Sequence, residues 1–254
     1  MISLFCDLDN TIIYSHRKKL DVPKRVVEKL NGSAQSYMTE KTFDFLSTCM
    51  TISTIPVTTR TFNQYDRLKT TLEILNCEYV VILNGAVLIN NGEIDQEWLS
   101  ESEKLAAGSE VEMDVAAAAL EKYGVKIRQK DALFTYGSTL DPQGVVDRVE
   151  GEIKPSLIHI FCDSRKVYCT PSIINKGSAV KRLKNKLLPE LSVGAGDSKN
   201  DLPMLNSVDI PIVPQTLEAF VSNPNRITVS QTEILSDVVC DEIDRLTKSF
   251  DGSR

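Results

Sequence analysis

Short apolar runs alternate with amphipathic stretches along most of the chain. Five of the runs have the length and composition of buried strands. They are Ile2–Cys6, Thr51–Val57, Tyr79–Leu83, Leu191–Ala195 and Ile210–Val213. Five amphipathic stretches predict helices, at Thr39–Met50, Thr61–Leu75, Lys176–Leu188, Asp201–Asn206 and Thr232–Phe250. Strands that alternate with helices are typical of βαβ units, so the pattern predicts an α/β fold built on a parallel sheet.

The middle of the chain, from about Gly85 to Thr170, has a different pattern. It begins with an Asn-Gly turn signal between two short apolar segments, which predicts a hairpin. A long helical stretch from Glu101 to Tyr123 follows, and a second helix is predicted at Pro142–Gly151. The remaining apolar segments predict four strands, at Val125–Gln129, Leu133–Gly137, Leu157–Cys162 and Lys166–Cys169.

These segments predict two structural units. Residues 85–170 would form an α+β module. Residues 1–84 and 171–254 would fold together as a discontinuous α/β core into which this module is inserted.

The composition excludes several classes of protein. With 29 basic and 35 acidic residues the net charge is −6, and no basic stripe indicates a nucleic-acid partner. No apolar run approaches the roughly 18 residues of a membrane helix, so no membrane partner is expected. The N-terminus has no basic region typical of a signal peptide. The six cysteines contain no CxxC pair, so we expect reduced thiols in a cytoplasmic protein. The sequence carries no signal for an oligomeric state.

A D-x-D-x-T string from Asp7 to Thr11 directly follows the first predicted strand. Ligands of open α/β sheets bind beyond the carboxyl ends of the strands, so Asp7 lies where a nucleophile would. Asp9 is only two residues away, and two such carboxylates repel each other unless a cation is bound. Mg²⁺ prefers hard oxygen ligands of this kind. For this string alone, a polar turn without chemistry is the alternative.

Three further sets of polar residues lie directly after a predicted strand or at the first position of a predicted helix. Thr58 follows the second strand, where a hydroxyl can hold a phosphate oxygen or simply cap a helix. Lys176 opposes the dipole of the helix that it opens, which suggests a role such as neutralising phosphate; a solvated lysine, the more common case for a single lysine, is the alternative. Asp197 and Asp201 share one helix face after a glycine-rich strand end, and an acidic first turn is the alternative.

Together the four sets predict a single site. Three of them follow a core strand, and a parallel sheet brings such strand ends to one edge, within reach of Lys176. The site would contain two or three carboxylates for a metal, one nucleophile, one hydroxyl and one lysine. Phosphoryl transfer needs this combination of positioning, charge neutralisation and an in-line attacking group.

These motifs resemble those of the haloacid dehalogenase-like superfamily, whose members carry DxDx[TV], a strand-end Ser/Thr, a Lys and GDxxxD in this order. The insertion between the second and third motifs, the Asp-Leu-Asp-Asn-Thr string and the pair Asn84-Gly85 resemble the Cof-type, sucrose-phosphate phosphatase-like subgroup. The resemblance implies a Rossmann-like parallel-sheet core with an inserted α+β cap domain. Two positions depart from the usual motifs, because Asn10 and Thr59 stand where glycine is common.

The resemblance also implies roles for the two leading carboxylates. Asp7 would attack phosphorus and form an aspartyl-phosphate, and Asp9 would protonate the leaving oxygen and then activate water. Mg²⁺ would be bound by Asp7, the Asp9 carbonyl and Asp197, and Asp201 would bind through water or brace the metal ligands.

The phosphoryl oxygens would be held by Thr58, Lys176 and Asn84, with Asn200 beside the metal ligands. The expected activity is the Mg²⁺-dependent hydrolysis of a small phosphorylated metabolite, with sugar phosphates as one candidate class. A phosphotransferase or phosphomutase of the same fold is the alternative, and a non-catalytic binding module is a further one.

The insertion should close over the site and exclude water. Its polar candidates for substrate selection are Arg128, Lys130, Tyr136, Arg165 and Lys166. His159 lies among apolar neighbours and is expected to face outward or to be satisfied within a strand. Trp98 is expected to be a hydrophobic anchor.

Overall fold

The computed structural model describes residues 1–251. Its strands, in chain order, are β1 (Ile2–Cys6), β2 (Tyr14–Ser15), β3 (Lys24–Leu30), β4 (Ser33–Thr39), β5 (Ile52–Pro56), β6 (Tyr79–Ile82), β7 (Val87–Asn90), β8 (Glu93–Ile94), β9 (Lys126–Gln129), β10 (Thr135–Ser138), β11 (Ile158–Asp163), β12 (Lys166–Pro171), β13 (Leu191–Ala195), β14 (Ile210–Pro214) and β15 (Ile227–Val229).

The helices are α1 (Glu40–Thr48), α2 (Phe62–Asp66), α3 (Lys69–Ile74), α4 (Gln96–Ala106), α5 (Glu110–Lys122), α6 (Pro142–Glu150), α7 (Lys176–Leu187), α8 (Leu202–Leu205) and α9 (Leu235–Asp251). Short 3₁₀ helices are formed by Leu83–Gly85, Ala107–Ser109, Lys199–Asp201 and Gln215–Phe220. Among the described helices, none combines the length and the apolar character needed to cross a bilayer.

The core is a five-stranded parallel sheet with the strand order β15-β14-β13-β1-β5. Every residue of β1 is buried, as expected for a strand covered by helices on both faces. Leu4 packs in a cluster with residues of α9, whereas Phe5 packs in a cluster with residues of α7. The α/β class predicted from the sequence is confirmed.

The register of the sheet determines where the site forms. Cys6 at the end of β1 pairs with Ala195 of β13 and with Pro56 of β5. The residues that follow these three strand ends therefore leave the sheet side by side, at its carboxyl edge. A parallel bridge from Val57 to Val81 places β6 next to β5, and β7 and β8 continue from β6 as the predicted hairpin.

A three-stranded antiparallel sheet, β2-β4-β3, follows the first motif and was not predicted. We call it the flap (residues 14–39). Strand β3 reads KRVVEKL and buries only two of its seven residues, so it lacks the apolar alternation that marks a strand. The turn between β3 and β4 is an Asn31-Gly32 pair with φ of 51° and 77°, the conformation of a tight hairpin.

Two predicted helices were wrong in their limits. The stretch Thr61–Leu75 is divided into α2 and α3, because the Leu68 N–H bonds to the Tyr65 carbonyl only three residues back and tightens the turn. The stretch predicted from Glu101 starts earlier, at α4, which Asp95 caps by accepting a hydrogen bond from the Trp98 N–H (3.0 Å). It is then interrupted by the 3₁₀ turn around Gly108, a residue with low helix propensity.

The inserted module contains a four-stranded antiparallel sheet, β11-β12-β10-β9, with α5 and α6 on one face. Its hydrophobic core is separate from those of the parallel sheet and is formed by residues between Met113 and Cys169. Helix α4, in contrast, is tied to α7, since Arg182 donates to the Ser102 hydroxyl (2.9 Å) and its guanidinium lies 3.5 Å from the centre of the Trp98 ring. The boundaries at residues 85 and 170 stay a prediction.

Candidate active site

Asp7 directly follows β1, at the carboxyl edge of the parallel sheet. Its N–H donates to the Ala195 carbonyl (2.9 Å), so the backbone ladder fixes the position of the carboxylate. The chain then turns at Asn10, which has a φ of 64°, a left-handed conformation that asparagine tolerates. This turn brings the Thr11 hydroxyl to Asp197, to which it donates (3.3 Å).

The glycine-rich loop after β13 folds around Asp201. A Cβ atom at position 196 would lie 2.5 Å from the Asp201 Cβ, so only Gly196 permits this approach. One oxygen of Asp201 accepts hydrogen bonds from the N–H groups of Asp197 (3.2 Å) and Ser198 (2.9 Å). The predicted helix at Asp201–Asn206 is the single turn α8, preceded by a 3₁₀ turn that ends at Asp201.

Lys176 is the first residue of α7 and is almost fully buried, with 2% exposure. Its Nζ atom donates to the carboxylates of Asp7 (2.5 Å) and Asp201 (2.6 Å). The position of the helix is fixed by close packing, because a Cβ atom at Gly177 would lie 2.3 Å from the Pro203 carbonyl oxygen. A buried cation therefore joins the nucleophile candidate to the glycine-rich loop.

The carboxylates of Asp7, Asp197 and Asp201 converge, with one oxygen of each within 4.8 Å of the others. Burial raises the pKa of Asp7 well above its ordinary value, and Lys176 opposes that shift. Burial and the charge of Asp201 raise the pKa of Asp197 to about 7. Burial alone would lower the pKa of Lys176, but the charges of Asp201 and Asp7 outweigh it and raise the value.

One lysine does not balance three ionised carboxylates, so the group favours an additional cation. Hard carboxylate oxygens at this spacing fit Mg²⁺. Asp201 has donors on both of its oxygens, which favours bracing over direct coordination. The predicted convergence of acidic groups from separate loops is present.

Asp9 lies beside this group and makes a different contact. Arg60 donates to both of its carboxylate oxygens, from Nε (2.9 Å) and from Nη2 (2.8 Å). The Asp9 side chain is 45% exposed, whereas that of Arg60 is only 8% exposed. The role of the Asp9 carbonyl toward a metal stays a prediction.

The three remaining sequence candidates lie in neighbouring loops. The Thr58 carbonyl accepts from the Asn84 N–H (2.9 Å), and the Thr58 hydroxyl accepts from the Arg60 N–H (3.2 Å). The Asn84 side-chain oxygen accepts from the Asn200 amide (3.0 Å), while the buried Asn84 amide nitrogen has no hydrogen-bond partner within the described chain. Leu83 and Asn84 both have a positive φ, of 51° and 59°, and the strain falls on the leucine, which tolerates this conformation less well than asparagine.

A cavity of about 540 Å³ opens between the parallel sheet and the inserted module. The residues on its core side include Asp7, Asp9, Thr59, Arg60, Lys176, Asp197 and Asn200. Those on the module side include Gln143, His159, Phe161, Asp163, Lys166 and Tyr168. The cavity thus brings the acidic group and the module together. Closure of the insertion over the site stays a prediction.

Stacked aromatic rings form part of the module wall. The rings of Phe161 and Tyr168 are 4.9 Å apart at an angle of 13°, and Tyr136 stacks on Tyr168 at 5.7 Å. Burial and the charge of Asp163 raise the pKa of the Tyr168 hydroxyl, and a hydrogen bond with Thr59 opposes this shift.

Among the polar candidates in the module, Lys166 lines the cavity and Tyr136 supports it by stacking. Arg128, Lys130 and Arg165 are not among the lining residues, and Lys130 pairs with Asp114 (3.1 Å) instead. His159, expected to face outward or to be satisfied within a strand, lies on a face of β11 that lines the cavity, and burial lowers its pKa. Ile158 and Ile160 point into the module core, so alternation along β11 places His159 and Phe161 on the cavity face.

No family model matches this sequence, and no curated protein matches it either. Comparison of the fold with solved structures gives clear similarities. The sucrose-phosphatase of Synechocystis sp. PCC6803, solved with sucrose and phosphate, is 14% identical with a TM-score of 0.63, over 96% of this chain and 97% of that one. A sugar phosphatase of haloacid dehalogenase subclass IIB is 15% identical with a TM-score of 0.65, over 97% and 99%.

A haloacid dehalogenase-like hydrolase from B. subtilis is 14% identical with a TM-score of 0.57, over 97% of this chain and all (100%) of that one. The similarities cover nearly the whole chain, and the predicted resemblance is confirmed at the level of the fold. The protein therefore has the haloacid dehalogenase fold with an inserted module.

Proposed function

We propose that this protein is a Mg²⁺-dependent phosphatase that hydrolyses a small phosphorylated metabolite through an aspartyl-phosphate on Asp7. One observation carries the proposal. Three carboxylates converge around the buried Lys176 at a cavity that the core shares with the inserted module. The fold, which phosphatases share, supports the same conclusion.

The metal would be held by Asp7, Asp197 and the Asp9 carbonyl, with Asp201 as the brace. Mg²⁺ supplies positive charge for the phosphoryl oxygens when it is bound. The donor set supports this assignment, because it consists of carboxylate oxygens around a single protein cation.

Asp7 is the nucleophile. Its carboxylate oxygen forms a bond to phosphorus while the bond from phosphorus to the leaving oxygen breaks. Lys176 favours the ionised form of Asp7 through its short contact and is placed to hold a phosphoryl oxygen in the same region. The buried residues Thr58 and Asn84 are proposed to complete the phosphate site, with Asn200 as their neighbour.

Asp9 is the general acid and base. It gives its proton to the leaving oxygen, and it then takes a proton from the water that attacks the phosphorus of the aspartyl-phosphate. Inorganic phosphate leaves and Asp7 is restored. The partial exposure of Asp9 at the cavity supports this role, since the group has to reach both the leaving oxygen and the water.

The inserted module is proposed to select the substrate, and residues 107–170 are proposed as the cap proper because α4 contacts the core. Two solved structures with similar folds are a sucrose-phosphatase and a sugar phosphatase. The cavity volume and the stacked rings of Phe161 and Tyr168 support a sugar phosphate as one candidate class. The six free thiols support a cytoplasmic location.

The test is a phosphatase assay on purified protein with Mg²⁺, using p-nitrophenyl phosphate and a panel of metabolite phosphates. We expect turnover that chelation by EDTA removes. The isosteric substitution Asp7→Asn should lower kcat at least about 10³-fold, because the nucleophile is lost.

Circular dichroism of the Asp7→Asn protein provides the folding control. Absence of Mg²⁺-dependent turnover across the panel would contradict the proposal. Transfer of phosphate to a second sugar, instead of its release, would indicate a phosphotransferase.

A further inference from the structure

Glu28 lies in the flap, outside every motif that predicted the site. It is 3% exposed and accepts three hydrogen bonds, from Arg60 Nη2 (2.9 Å), Arg67 Nε (2.7 Å) and Ser36 Oγ (2.6 Å). Burial alone would raise the pKa of Glu28, but the contacts with Arg60, Ser36 and Arg67 lower it to about 2. The flap therefore carries a permanently ionised, buried carboxylate.

An irregularity in the flap aims this side chain inward. In the pairing of β3 with β4, Val26 is opposite Tyr37 and Glu28 is opposite Ser36, so Val27 is an extra residue on β3. A bulge of this kind lets two successive side chains point to the same side. Both Val27 and Glu28 are buried, which regular alternation would not permit.

The carboxylate of Glu28 is one end of a chain of contacts that leads to the cavity. The Arg60 Nη2 atom donates to both Glu28 and Asp9, and Nε donates to Asp9 as well. The remaining nitrogen donates to the Gln64 carbonyl (3.3 Å). Exposure of the side chains rises along the chain, from 2% for Glu28 and 8% for Arg60 to 45% for Asp9.

We propose that Glu28 is a positioning residue, which fixes the Arg60 guanidinium so that Arg60 holds the Asp9 carboxylate at the mouth of the cavity. The inference rests on the proposed function, because Asp9 is the acid and base of that reaction. A half-exposed aspartate can adopt several rotamers, and a general acid acts only within hydrogen-bond reach of the leaving oxygen. The contact from Glu28 through Arg60 restricts the rotamers that Asp9 can adopt.

A role in flap stability alone is the competing explanation, and the two differ in their dependence on the leaving group. Phenolate needs a proton from Asp9 as it leaves, whereas the more acidic p-nitrophenolate needs little help. A displaced Asp9 therefore slows the formation of the aspartyl-phosphate more from phenyl phosphate than from p-nitrophenyl phosphate. A destabilised flap would slow both substrates equally.

The experiment compares Glu28→Gln with wild type on phenyl phosphate and p-nitrophenyl phosphate, with Mg²⁺ present. We expect kcat/KM, which reports the step in which the leaving group departs, to fall about 10-fold on phenyl phosphate and less than about 2-fold on p-nitrophenyl phosphate. The later hydrolysis of the aspartyl-phosphate is common to both substrates and does not enter this comparison. Asp9→Asn should also lower activity more on phenyl phosphate than on p-nitrophenyl phosphate, and by larger factors than Glu28→Gln. Equal losses on the two substrates would overturn the proposal.

Arg67→Gln is the matched control, because it removes another partner of Glu28 and leaves Arg60 in place. It should keep the wild-type ratio between the two substrates. If Glu28→Gln does not fold, Glu28→Asp keeps the charge with a shorter side chain, and it should change the ratio in the same direction by a smaller factor.

A crystal structure of Glu28→Gln gives a readout that does not depend on activity. We expect the two-bond contact between Arg60 and Asp9 to be lost. If both side chains stay within about 0.5 Å of their wild-type positions, the positioning role is excluded. Wild-type protein that is inert toward the whole panel of phosphates would contradict the proposed phosphatase function, while this structural comparison would still decide the role of Glu28.

Discussion

The two walls of the cavity differ in how deeply their side chains are buried and in how firmly other residues hold them. On the core wall, Lys176 is buried and held by Asp7 and Asp201. The half-exposed Asp9 is held there by Arg60. On the module wall, His159 and Phe161 are half-buried on one face of an antiparallel sheet. The core wall is therefore preorganised for chemistry, and the module wall offers a surface whose side chains can change at a lower cost in stability.

The largest effect is expected for Lys176→Met, which tests the core wall. The substitution leaves Asp7 and Asp201 buried without their cation, so we expect the free energy of unfolding to fall by about 3–5 kcal/mol. Turnover should fall at least about 10²-fold, because a phosphate-neutralising charge is lost. Denaturant unfolding and the phosphatase assay measure the two effects. Lys181→Met, an exposed change on the same helix, should stay within about 0.5 kcal/mol of wild type.

The stabilising effect of Mg²⁺ at different pH values provides a second test of the core wall. The folded-state pKa values of Asp7 and Asp197 are raised, to about 7 for Asp197, so their contribution to stability is present below about pH 4 and is lost as pH rises through the folded values. Metal binding needs the ionised forms. At saturating Mg²⁺ we expect Tm to rise by about 5–10 °C at pH 8 and much less at pH 5.

Thermal unfolding with Mg²⁺ or EDTA from pH 5 to pH 8 measures this dependence. Ca²⁺, which prefers longer bonds and more ligands, provides a comparison ion. An Mg²⁺ effect that is equal at both ends of the range would argue against ionisation of this carboxylate group on metal binding.

The smallest effect is expected on the module wall. Phe161→Leu removes a half-buried ring that stacks on Tyr168, so we expect KM for the best metabolite substrate to rise about 3–10-fold while kcat on p-nitrophenyl phosphate changes less than about 2-fold. Steady-state kinetics on the two substrates measures the difference. Tyr168→Phe retains the ring and removes the hydroxyl that contacts Thr59, so it separates stacking from hydrogen bonding. An equal fall in kcat on both substrates would remove the contrast between the walls.

The core wall could be predicted from the sequence because its residues are fixed by strand ends. Each of Asp7, Thr58 and Asp197 follows a strand of the parallel sheet within two residues, and parallel strands end at one edge. Lys176 could be placed because a lysine that opens a helix is unfavourable without a partner. Local patterns were sufficient for these positions.

The flap and the orientation of the module wall could not be predicted in the same way. Strand β3 is mostly polar, and the bulge that turns Glu28 inward depends on its pairing with β4, which is a property of the fold and not of a local pattern. His159 was expected to face outward or to be satisfied within its strand, and alternation along β11 places it opposite the module core. That this face lines the cavity depends on contacts between distant parts of the chain and not on a local pattern.

The pairing of β1 with β13 also has a consequence for how the protein is made. Ile2 is opposite Leu191, so two residues that pair in the sheet are separated by almost 190 positions of the sequence. Contacts between such distant parts of a sequence form slowly, because a long loop has to close first. A nascent chain that stops before Leu191 lacks one side of β1 together with Asp197 and Asp201, so the acidic centre can assemble only after β13 and the loop that follows it have been made.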